Sequence, residues 1–321
     1  MSSIISGRAK KDGKLYIILN PIAGKGKALK LAPFIEQFLK SKGENFEIVY
    51  TTSVGHAQEI ARTCPLENGT VVVAAGGDGT SNEVVNGLLS RENPSGEPPL
   101  FGILPIGRGN DFSSSTSVPS KIEQALETLI SREYGALDAG IIKGGYYPEG
   151  RYFVNGVGIG FDTMVGLEAA KMKYVRSGLA YVFGAIKMAV VFPPSPQIEV
   201  RWSSGDEEKS FTDYLLIVSI VNGRRMGGSF YMGPDALLND GELDLCAANR
   251  RSRAGMAKII LHYTKGTQHE CEGVTRARSA KYSLRALEGG MVAHADGETI
   301  CLDGKELEIT CVPSALRMVG V

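Results

Sequence analysis

The sequence predicts a two-domain protein, in which an α/β domain built on a parallel sheet precedes a mainly antiparallel β domain. From Leu15 to about Asp138, short apolar runs alternate with amphipathic segments, as in a parallel sheet covered by helices. Beyond about Gly140, strand-like runs separated by Gly, Asn, Asp and Pro dominate. The chain has 321 residues, enough for about two domains of ordinary size. We place the first domain at 1–140 and the second at 141–312, and expect that about 313–321 can return to the first.

Four apolar runs predict the parallel strands of the first domain. They scarcely alternate, which indicates burial on both faces of the sheet. The predicted strands are 15–20, 46–50, 70–75 and 100–105, and helical spacing predicts helices at 27–41, 56–63 and 80–90. Ser120 and Glu123 predict a capping box at the start of a fourth helix. Glycine clusters follow the first, third and fourth strands, at the sheet edge where open α/β sheets bind ligands.

Strand-like runs also define the second domain. The predicted strands are 151–159, 197–202, 213–222, 241–248, 281–287 and 306–312. Two segments with helical spacing interrupt them, from about 165 to 191 and from about 252 to 265. Pro193 and Pro194 close the first of these helices.

Charge and cysteine content exclude several classes of protein. The 35 Lys and Arg residues equal the 35 Asp and Glu residues, whereas proteins that neutralise nucleic-acid phosphates carry a basic excess. We therefore expect no nucleic-acid partner. The five cysteines are scattered and form no CxxC pair, which disfavours a disulfide framework or a zinc site. Neither a secretory signal nor a run of ~20 apolar residues is present, so we expect a cytoplasmic protein.

The loop GGDGT predicts a phosphate-binding site. Gly76, Gly77 and Gly79 lie between a buried strand and a predicted helix, where backbone N–H groups and the helix N-terminus favour an anion. Asp78 lies inside this loop, and its carboxylate repels phosphate unless a divalent cation lies between them. The loop therefore suggests a metal-bound nucleotide. The alternative is a tight strand-to-helix turn that merely needs glycine.

Two further loops repeat this pattern at the same predicted edge. The first, NPIAGKGKA at 20–28, lacks the Walker A spacing and on its own could equally be a simple turn. The other, LPIGRGNDF at 104–112, contains Gly107, Gly109, Asn110 and Asp111. Three such loops on one sheet edge point to a single nucleotide site.

The motifs NPIAG, GGDGT followed by SNEVVNGL, and PIGRGND resemble the diacylglycerol-kinase catalytic domain of soluble bacterial lipid kinases, relatives of sphingosine and ceramide kinases. The match continues through FVNGVGIGFD, VNGRRMGG, GPDALLNDGELDL and HADGE, and covers nearly the whole chain in the expected order. The resemblance implies a Rossmann-like α/β nucleotide domain plus a C-terminal β-sandwich, similar to NAD kinase, with the active site in the cleft between them. It also implies ATP and Mg²⁺ as cofactors.

The resemblance further implies the roles of individual residues. Glu298 is the leading candidate for the base, because phosphoryl transfer to an alcohol needs a carboxylate that accepts the hydroxyl proton. Asp78, Asp111 and Asp296 look like the acidic network around the catalytic Mg²⁺. The implied ATP-binding positions are Asn20, Pro21, Ile22, Ala23, Gly24, Thr51, Gly76, Gly77, Asp78, Gly79, Thr80, Ser81, Asn82 and, in the third loop, Arg108.

Arg108 departs from the family pattern, which usually has Thr at this nucleotide-contacting position. A guanidinium can pair with phosphate oxygens, so nucleotide binding could be preserved by different means. It could also fill the adenine or phosphate space.

The family also has a structural Mg²⁺ site made of two backbone carbonyls and one Asp. Carried over to this chain, the ligands are Leu237, Asp240 and Glu242, the first and last through their carbonyl oxygens. The alternative is a metal-free turn, because Asn239, Asp240 and Gly241 form a good hairpin signal.

The resemblance implies an ATP-dependent lipid kinase that phosphorylates diacylglycerol or a related lipid alcohol, such as a sphingoid base or ceramide. The acceptor lies in a bilayer, so we expect transient peripheral contact with the inner membrane surface, and a homodimer is reasonable. One alternative is NAD kinase, since GGDGT also occurs in that family. The other is a nucleotide- or lipid-binding protein that has lost catalysis, for which Arg108 is the sequence argument.

Overall fold

The computed structural model describes residues 6–67, 69–92, 96–171, 183–184, 187, 191, 195–205, 207–228 and 230–321. The chain divides into two compact units. The first unit contains Met1–Ala139, Leu238–Asp240 and Pro313–Val321, and the second contains Gly140–Leu237 and Gly241–Val312. The short segment Leu238–Asp240 is an excursion into the first unit that the sequence did not predict.

The first unit is an α/β sheet with helices. Its strands are β1 (Ser6–Arg8), β2 (Leu15–Leu19), β3 (Phe46–Tyr50), β4 (Val71–Gly76) and β5 (Leu100–Pro105), followed by β6 (Glu133–Gly144), which ends in the second unit. Its helices are α1 (Ala23–Ser41), α2 (His56–Thr63), α3 (Asp78–Leu89) and α4 (Ile122–Ser131), with a 3₁₀ turn at Phe112–Ser115. The predicted α/β class is confirmed, and β3, β5 and α2 have the predicted bounds.

The order of the parallel strands places the glycine loops together. The sheet runs β3, β2, β4, β5, so the chain reverses direction across the sheet at β2. The register pairs Leu19 with Tyr50 and Ala75, and Gly76 with Pro105, so the carboxyl ends of these strands lie at one edge. Ligands of open α/β sheets bind outside the carboxyl ends of strands at such a reversal.

Two helix starts show how local sequence sets these elements. In α1, Gly24, Lys25 and Gly26 have φ of 60°, 62° and 83°, so the regular helix begins after them, near the predicted residue 27. The capping box predicted at Ser120 and Glu123 is wrong. The N-cap of α4 is Lys121, with no side-chain cap hydrogen bond, because the helix begins one residue later than the box requires.

The second unit consists mostly of antiparallel strands. They are β7 (Tyr147–Phe153), β8 (Gly156–Gly160), β9 (Gln197–Ser204), β10 (Glu207–Val221), β11 (Arg225–Met226), β12 (Phe230–Tyr231), β13 (Leu243–Asn249), β14 (Val274–Ser279), β15 (Lys281–Glu288), β16 (Met291–Ala295), β17 (Glu298–Gly304) and β18 (Glu306–Val319), whose end lies in the first unit. The helices are α5 (Phe161–Lys171) and α6 (Arg253–Lys265), and a 3₁₀ turn spans Gln268–Glu270.

The long strand β10 joins two sheets of a sandwich. Its first half pairs with β9, and its second half pairs with β8 and β13. The pairing with β13 contains a register shift between Leu215 and Ile217. Side chains from both sheets, including Val157, Val200 and Val218, form the core between them. The predicted antiparallel β domain is thereby confirmed as a β-sandwich.

The other face of the second sheet carries α5, α6 and a separate apolar core. Ile217 and Val221 of β10 pack there with Phe161 of α5 and with Ile259 and Tyr263 of α6. Ser252 caps α6 by accepting a hydrogen bond from the Gly255 N–H at 3.2 Å, and the helix ends at Gly266.

Three sequence expectations in the second unit change. The predicted strand 151–159 is two strands, β7 and β8, because a turn separates them. The strands β11, β12, β14, β16 and β17 were not predicted. The predicted helix from 165 to 191 is represented by α5, and 172–182, 185–186 and 188–190 lie outside the described residues. The residues at 193 and 194, predicted to close the helix, also lie outside them. In the described part of the chain, no helix combines the length and hydropathy needed to cross a membrane.

Candidate active site

Hydrogen bonds join the three glycine loops of the first unit. The Asn20 side-chain amide donates to the Thr80 hydroxyl at 3.2 Å, which ties the first loop to the second. The Ile106 and Gly107 N–H groups donate to the Gly76 carbonyl at 2.7 and 2.9 Å, which ties the third loop to the second. The sequence-predicted loops are therefore brought together at the edge where the strand order reverses.

Glycine is required where these loops approach each other. A Cβ added to Gly77 would lie 3.1 Å from the Gly107 Cα, and one added to Gly24 would overlap the Ile106 carbonyl. A Cβ added to Gly26 or Gly79 would meet no atom within 4 Å. The first pair packs the loops tightly, whereas the second pair borders open space in which a ligand can approach the backbone.

The start of α3 at this edge suits an anion. Its N-cap residue, Gly77, has no side chain that could cap the helix. The start of α1 differs, because the Asn20 side-chain oxygen accepts a hydrogen bond from the Ile22 N–H at 3.2 Å and regular helix begins only after Gly26. Uncapped N-terminal N–H groups and the helix dipole together bind phosphate well. The residues present therefore fit the phosphates of a nucleotide, as the sequence predicts for the loop around Gly76–Thr80.

Asp78 and Asp111 face the same small space. A Cβ added to Gly109 would lie 3.0 Å from Asp78 Oδ2 and 3.9 Å from Asp111 Oδ2, so both carboxylates border the same space. Asp78 Oδ1 accepts a hydrogen bond from the Phe112 N–H at 3.2 Å. Burial raises the pKa of Asp78, while the N–H groups of Phe112, Asp111 and Asn110 oppose that rise.

These two carboxylates fit a Mg²⁺ ion that also contacts phosphates. Protein Mg²⁺ sites in kinases commonly use one or two carboxylates together with substrate phosphates and water. The described residues contain no group of three or more His, Cys, Asp or Glu side chains arranged to hold a metal alone. Asp78 and Asp111 are thus suited to an ion that arrives with a nucleotide.

Asn110 closes the third loop. Its φ of 56° is left-handed, a conformation that Asn tolerates better than most residues. Its side-chain amide donates to the carbonyls of Pro105 and Gly107, both at 3.3 Å. The sequence pattern predicts Asn110 in the loop but does not mark it as a site residue. Its neighbour Arg108 is exposed, so its side chain does not occupy the buried part of the loop.

Thr51 lies buried where β3 ends, and its N–H donates to the Leu19 carbonyl at 3.0 Å. The next helix, α2, is held by Glu83, which was not among the predicted site residues. The Glu83 carboxylate accepts hydrogen bonds from the N–H groups of Gly55 at 3.0 Å and Ala57 at 3.1 Å. Those two N–H groups are therefore used inside the protein. No sequence signal distinguishes Glu83 from other acidic residues on a helix.

Ser81 and Asn82, also predicted to bind nucleotide, are buried in α3.

In the second unit, the HADGE motif forms a tight hairpin between β16 and β17. Asp296 and Gly297 have φ of 47° and 88°, and Ala295 pairs with Glu298. Two central residues with positive φ are typical of the type I′ turn, which explains the Asp-Gly sequence. The turn leaves Glu298 half-buried at the start of β17.

The Asp296 carboxylate anchors this turn to the start of β8. Its Oδ2 accepts from the Val154 N–H at 2.9 Å, and its Oδ1 accepts from the N–H groups of Asn155 at 3.1 Å and Gly156 at 2.9 Å. These three hydrogen bonds fix the turn that leads into Glu298. A place for Asp296 beside the catalytic Mg²⁺ stays a prediction.

The predicted structural Mg²⁺ ligands lie in the loop between β12 and β13. The side chains of Leu237 and Asp240 are exposed, and the Glu242 carboxylate lies 3.8 Å from Arg278 Nε. Gly241 has φ of 79°, which fits the turn at Asn239–Gly241, but the whole loop between β12 and β13 is longer than a tight hairpin. The metal site would use two backbone carbonyls and one carboxylate, and it stays a prediction.

A buried acid in the second unit was not predicted from the sequence. Asp162 follows β8 at the start of α5, and its side chain is only 9% exposed. Burial raises the pKa of Asp162 from 3.8 to about 7, and burial lowers the pKa of the neighbouring His294 to about 4. Asp162 Oδ2 and His294 Nε2 lie 3.9 Å apart, and both shifts favour the neutral forms over an ion pair.

Asp162→Asn is expected to change the pH dependence of stability. The pKa of Asp162 is about 7 in the folded protein and 3.8 in the unfolded chain. Between these two pH values the folded protein binds more protons than the unfolded chain, so the native protein loses stability as the pH rises. Asn does not titrate. From about pH 4 to about pH 8, the unfolding free energy of the variant should rise relative to the native protein, by at most roughly 4 kcal/mol. Urea unfolding across this range measures the difference, and a difference independent of pH would contradict a neutral buried Asp162.

Comparison with known proteins agrees with this arrangement of loops and domains. Residues 14–142 match the diacylglycerol kinase catalytic domain, and residues 155–320 match the YegS C-terminal NAD kinase beta sandwich-like domain. A protein named "Probable lipid kinase YegS-like" from Enterobacter sp. (strain 638) is 31% identical over 282 residues, 87% of each chain. A diacylglycerol kinase from Bacillus subtilis (strain 168) is 27% identical over 284 residues, 88% of each chain.

A solved structure shows the same fold. The crystal structure of a diacylglycerol kinase from Bacillus anthracis str. Sterne superimposes with a TM-score of 0.71 over 97% of each chain, at 19% sequence identity. At that identity the likeness establishes the fold alone. Together, the two matched domains and the 31% identical relative establish the family. This chain belongs to the lipid kinases that combine a diacylglycerol kinase catalytic domain with a YegS-type β-sandwich domain.

Proposed function

We propose that this kinase transfers the γ-phosphate of ATP, with Mg²⁺, to the hydroxyl of a lipid alcohol. Diacylglycerol is the first acceptor to test, because relatives of this chain carry that activity in their names. The observation that carries the proposal is the convergence of Asp78 and Asp111 beside the uncapped start of α3. A carboxylate pair next to a phosphate cradle is suited to phosphoryl transfer and has no evident use in a lipid carrier.

The proposed reaction assigns separate tasks to named residues. The glycine loops around Gly24, Gly77 and Gly107 bind the nucleotide, and Asp78 and Asp111 would hold Mg²⁺, which neutralises charge on the phosphates. Glu298 accepts the proton of the lipid hydroxyl. The hydroxyl oxygen then forms a bond to the γ-phosphorus as the bond from that phosphorus to the bridging oxygen breaks, and ADP leaves.

The acceptor determines where the enzyme must work. A lipid alcohol lies in a bilayer, so the proposal includes transient peripheral contact with a membrane surface. Sedimentation with vesicles that contain the acceptor lipid tests this part. Recovery of the protein with the vesicles supports it, and transfer to vesicle lipid without measurable association would limit the contact to a short encounter.

Transfer of label from γ-labelled ATP tests the function. The purified protein and Mg²⁺ are incubated with mixed micelles that contain diacylglycerol, monoacylglycerol, a sphingoid base or ceramide, and separately with NAD. We expect label in an organic extract of at least one lipid sample. Label in NAD and in no lipid would establish an NAD kinase instead. ATP binding without transfer to any acceptor would support a protein that has lost catalysis.

Arg108→Thr tests the residue that departs from the family pattern. Arg108 is exposed in the third glycine loop, and a guanidinium pairs well with phosphate oxygens. We expect the KM for ATP to rise by about 3–10-fold with little change in kcat, because an exposed charge pair contributes roughly 1 kcal/mol.

Arg62→Thr is the matched control, because Arg62 is an exposed arginine in the last turn of α2. Its KM for ATP should stay within about twofold of the native value. A lower KM for ATP in Arg108→Thr would show instead that the arginine obstructs the nucleotide site.

A further inference from the structure

The helix α6 presents a positively charged surface. Between Asp244 and Glu270 the sequence contains three arginines, two lysines and no acidic residue, although the whole chain has as many acidic as basic residues. Three of these cations, Arg253, Lys258 and Lys265, are exposed on the helix itself. A chain with no formal net charge therefore concentrates positive charge on one helix.

An exposed apolar strip runs along the same face of α6. Ala254, Ala257 and Leu261 are spaced by three and four residues, which places them on one side of a helix. All three are exposed, and Leu261 is 54% exposed. The strip therefore has one large apolar side chain and two small ones that face outward.

The exposed cations flank this strip. Lys258 and Lys265 are seven residues apart, about two helical turns, and lie on one side of Leu261, whereas Arg253 lies on the other side. The stems of such side chains can follow an apolar surface while their charged ends reach toward polar headgroups. Apolar residues between cations are typical of a helix that lies in the interface of a membrane.

The opposite face of α6 attaches the helix to the protein. Met256, Ile259 and Tyr263 are at most 1% exposed and belong to the apolar core on the second sheet. Arg251, just before the helix, donates a hydrogen bond to the Glu272 carbonyl. The exposed face contributes nothing to that core, so substitutions there can test docking without unfolding the domain.

We propose that the exposed face of α6 docks this kinase on a bilayer that contains anionic phospholipid. Leu261 enters the boundary between headgroups and acyl chains, and the cations beside it contact lipid phosphates. Each basic residue close to an anionic surface strengthens attachment about fivefold. The inference rests on the proposed function, because an acceptor in a bilayer requires a docking surface, and it names that surface and the charge of the lipid.

Removal of two positive charges tests the electrostatic part. The protein is sedimented, without ATP, with vesicles of phosphatidylcholine and with vesicles that also contain phosphatidylglycerol. The native protein should bind the anionic vesicles at least about tenfold more tightly than the neutral ones. Combined Lys258→Gln and Lys265→Gln should weaken binding to the anionic vesicles by about 10–30-fold.

Combined Lys209→Gln and Lys281→Gln is the matched control for charge. These two exposed lysines lie on β10 and β15, in the sheet of the sandwich that does not carry α6. The control removes the same charge from the protein, so its affinity for the anionic vesicles should stay within about twofold of the native value.

Leu261→Trp tests whether this face enters the bilayer. Its fluorescence is compared on anionic vesicles with and without bromine on the acyl chains, because bromine quenches tryptophan that reaches them. We expect lower emission on the brominated vesicles. The native protein, whose one tryptophan is Trp202, should show equal emission on both. So should Leu287→Trp, in which the replaced leucine is 49% exposed on β15.

The outcomes separate this inference from the proposed function. Native binding to anionic vesicles by the Lys258→Gln and Lys265→Gln protein, or no binding by the native protein, would overturn α6 as the docking face. Absence of quenching in vesicle-bound Leu261→Trp would do the same. Weaker self-association of the lysine variant with unchanged vesicle binding would assign the face to a second copy of the chain.

Activity is measured with acceptor lipid in neutral detergent micelles, where no anionic surface is needed. There the lysine variant and Leu261→Trp should phosphorylate lipid at the native rate. Failure of the native protein to phosphorylate any lipid in these micelles would overturn the proposed function. The vesicle experiments would still decide whether α6 docks on a membrane.

Discussion

Glu298→Gln is expected to lower kcat for lipid phosphorylation by about 10²–10⁴-fold, the usual contribution of a general base. Glu298 begins β17 directly after the Asp296–Gly297 turn, and three backbone N–H groups hold the Asp296 carboxylate in place. The amide of Gln has nearly the same shape but cannot accept the hydroxyl proton. The KM for ATP should stay close to the native value, since Glu298 is assigned no contact with the nucleotide.

The control is Glu308→Gln, because Glu308 is an exposed glutamate on β18, paired with Ser283 of β15. It should retain full turnover. Native turnover in Glu298→Gln would remove Glu298 as the base and direct attention to other carboxylates. A loss of turnover accompanied by a lower unfolding free energy would indicate damage to the hairpin, so urea unfolding of both variants belongs in the experiment.

Much of the nucleotide site was predictable because parallel strands impose a simple rule. Strands such as β4 and β5 end at a common edge, so glycine loops that follow them in the sequence must meet in space. The hydrogen bonds from the Ile106 and Gly107 N–H groups to the Gly76 carbonyl confirm that the loops meet. The loop sequences themselves fix much of the remainder, because glycine and Asn tolerate the left-handed conformations found there.

The rest of the site depends on contacts that local patterns do not encode. The approach of Asp162 to His294 follows from the pairing of Gly158 with His294 across β8 and β16, which are far apart in the sequence. The Glu83 clamp on α2 likewise needs the packing of two helices. A single sequence shows which residues are polar, but not which of them burial leaves without a partner.

Asp78→Asn is expected to lower kcat/KM for ATP by on the order of 10²-fold, because a metal-binding carboxylate contributes several kcal/mol to phosphoryl transfer. The substitution separates two tasks of Asp78. Asn retains an oxygen that can accept the Phe112 N–H, so the third loop stays attached. It replaces the negative oxygen that faces Asp111 with a neutral NH₂ group. The Mg²⁺ concentration for half-maximal activity should rise at least about tenfold.

Stability distinguishes this effect from misfolding. Burial raises the pKa of Asp78, so the folded protein disfavours its charge, and neutral Asn removes that penalty. The NH₂ group of Asn cannot accept backbone N–H bonds as the second carboxylate oxygen does, and this loss offsets the gain. The urea concentration at the unfolding midpoint should therefore stay close to the native value. Asp12→Asn, at an exposed position of the first unit, is the control and should leave both activity and Mg²⁺ dependence unchanged. If Asp78→Asn lost activity while its Mg²⁺ dependence stayed native, Asp78 would serve only to hold the Phe112 loop. The metal would then depend on Asp111 and the phosphates.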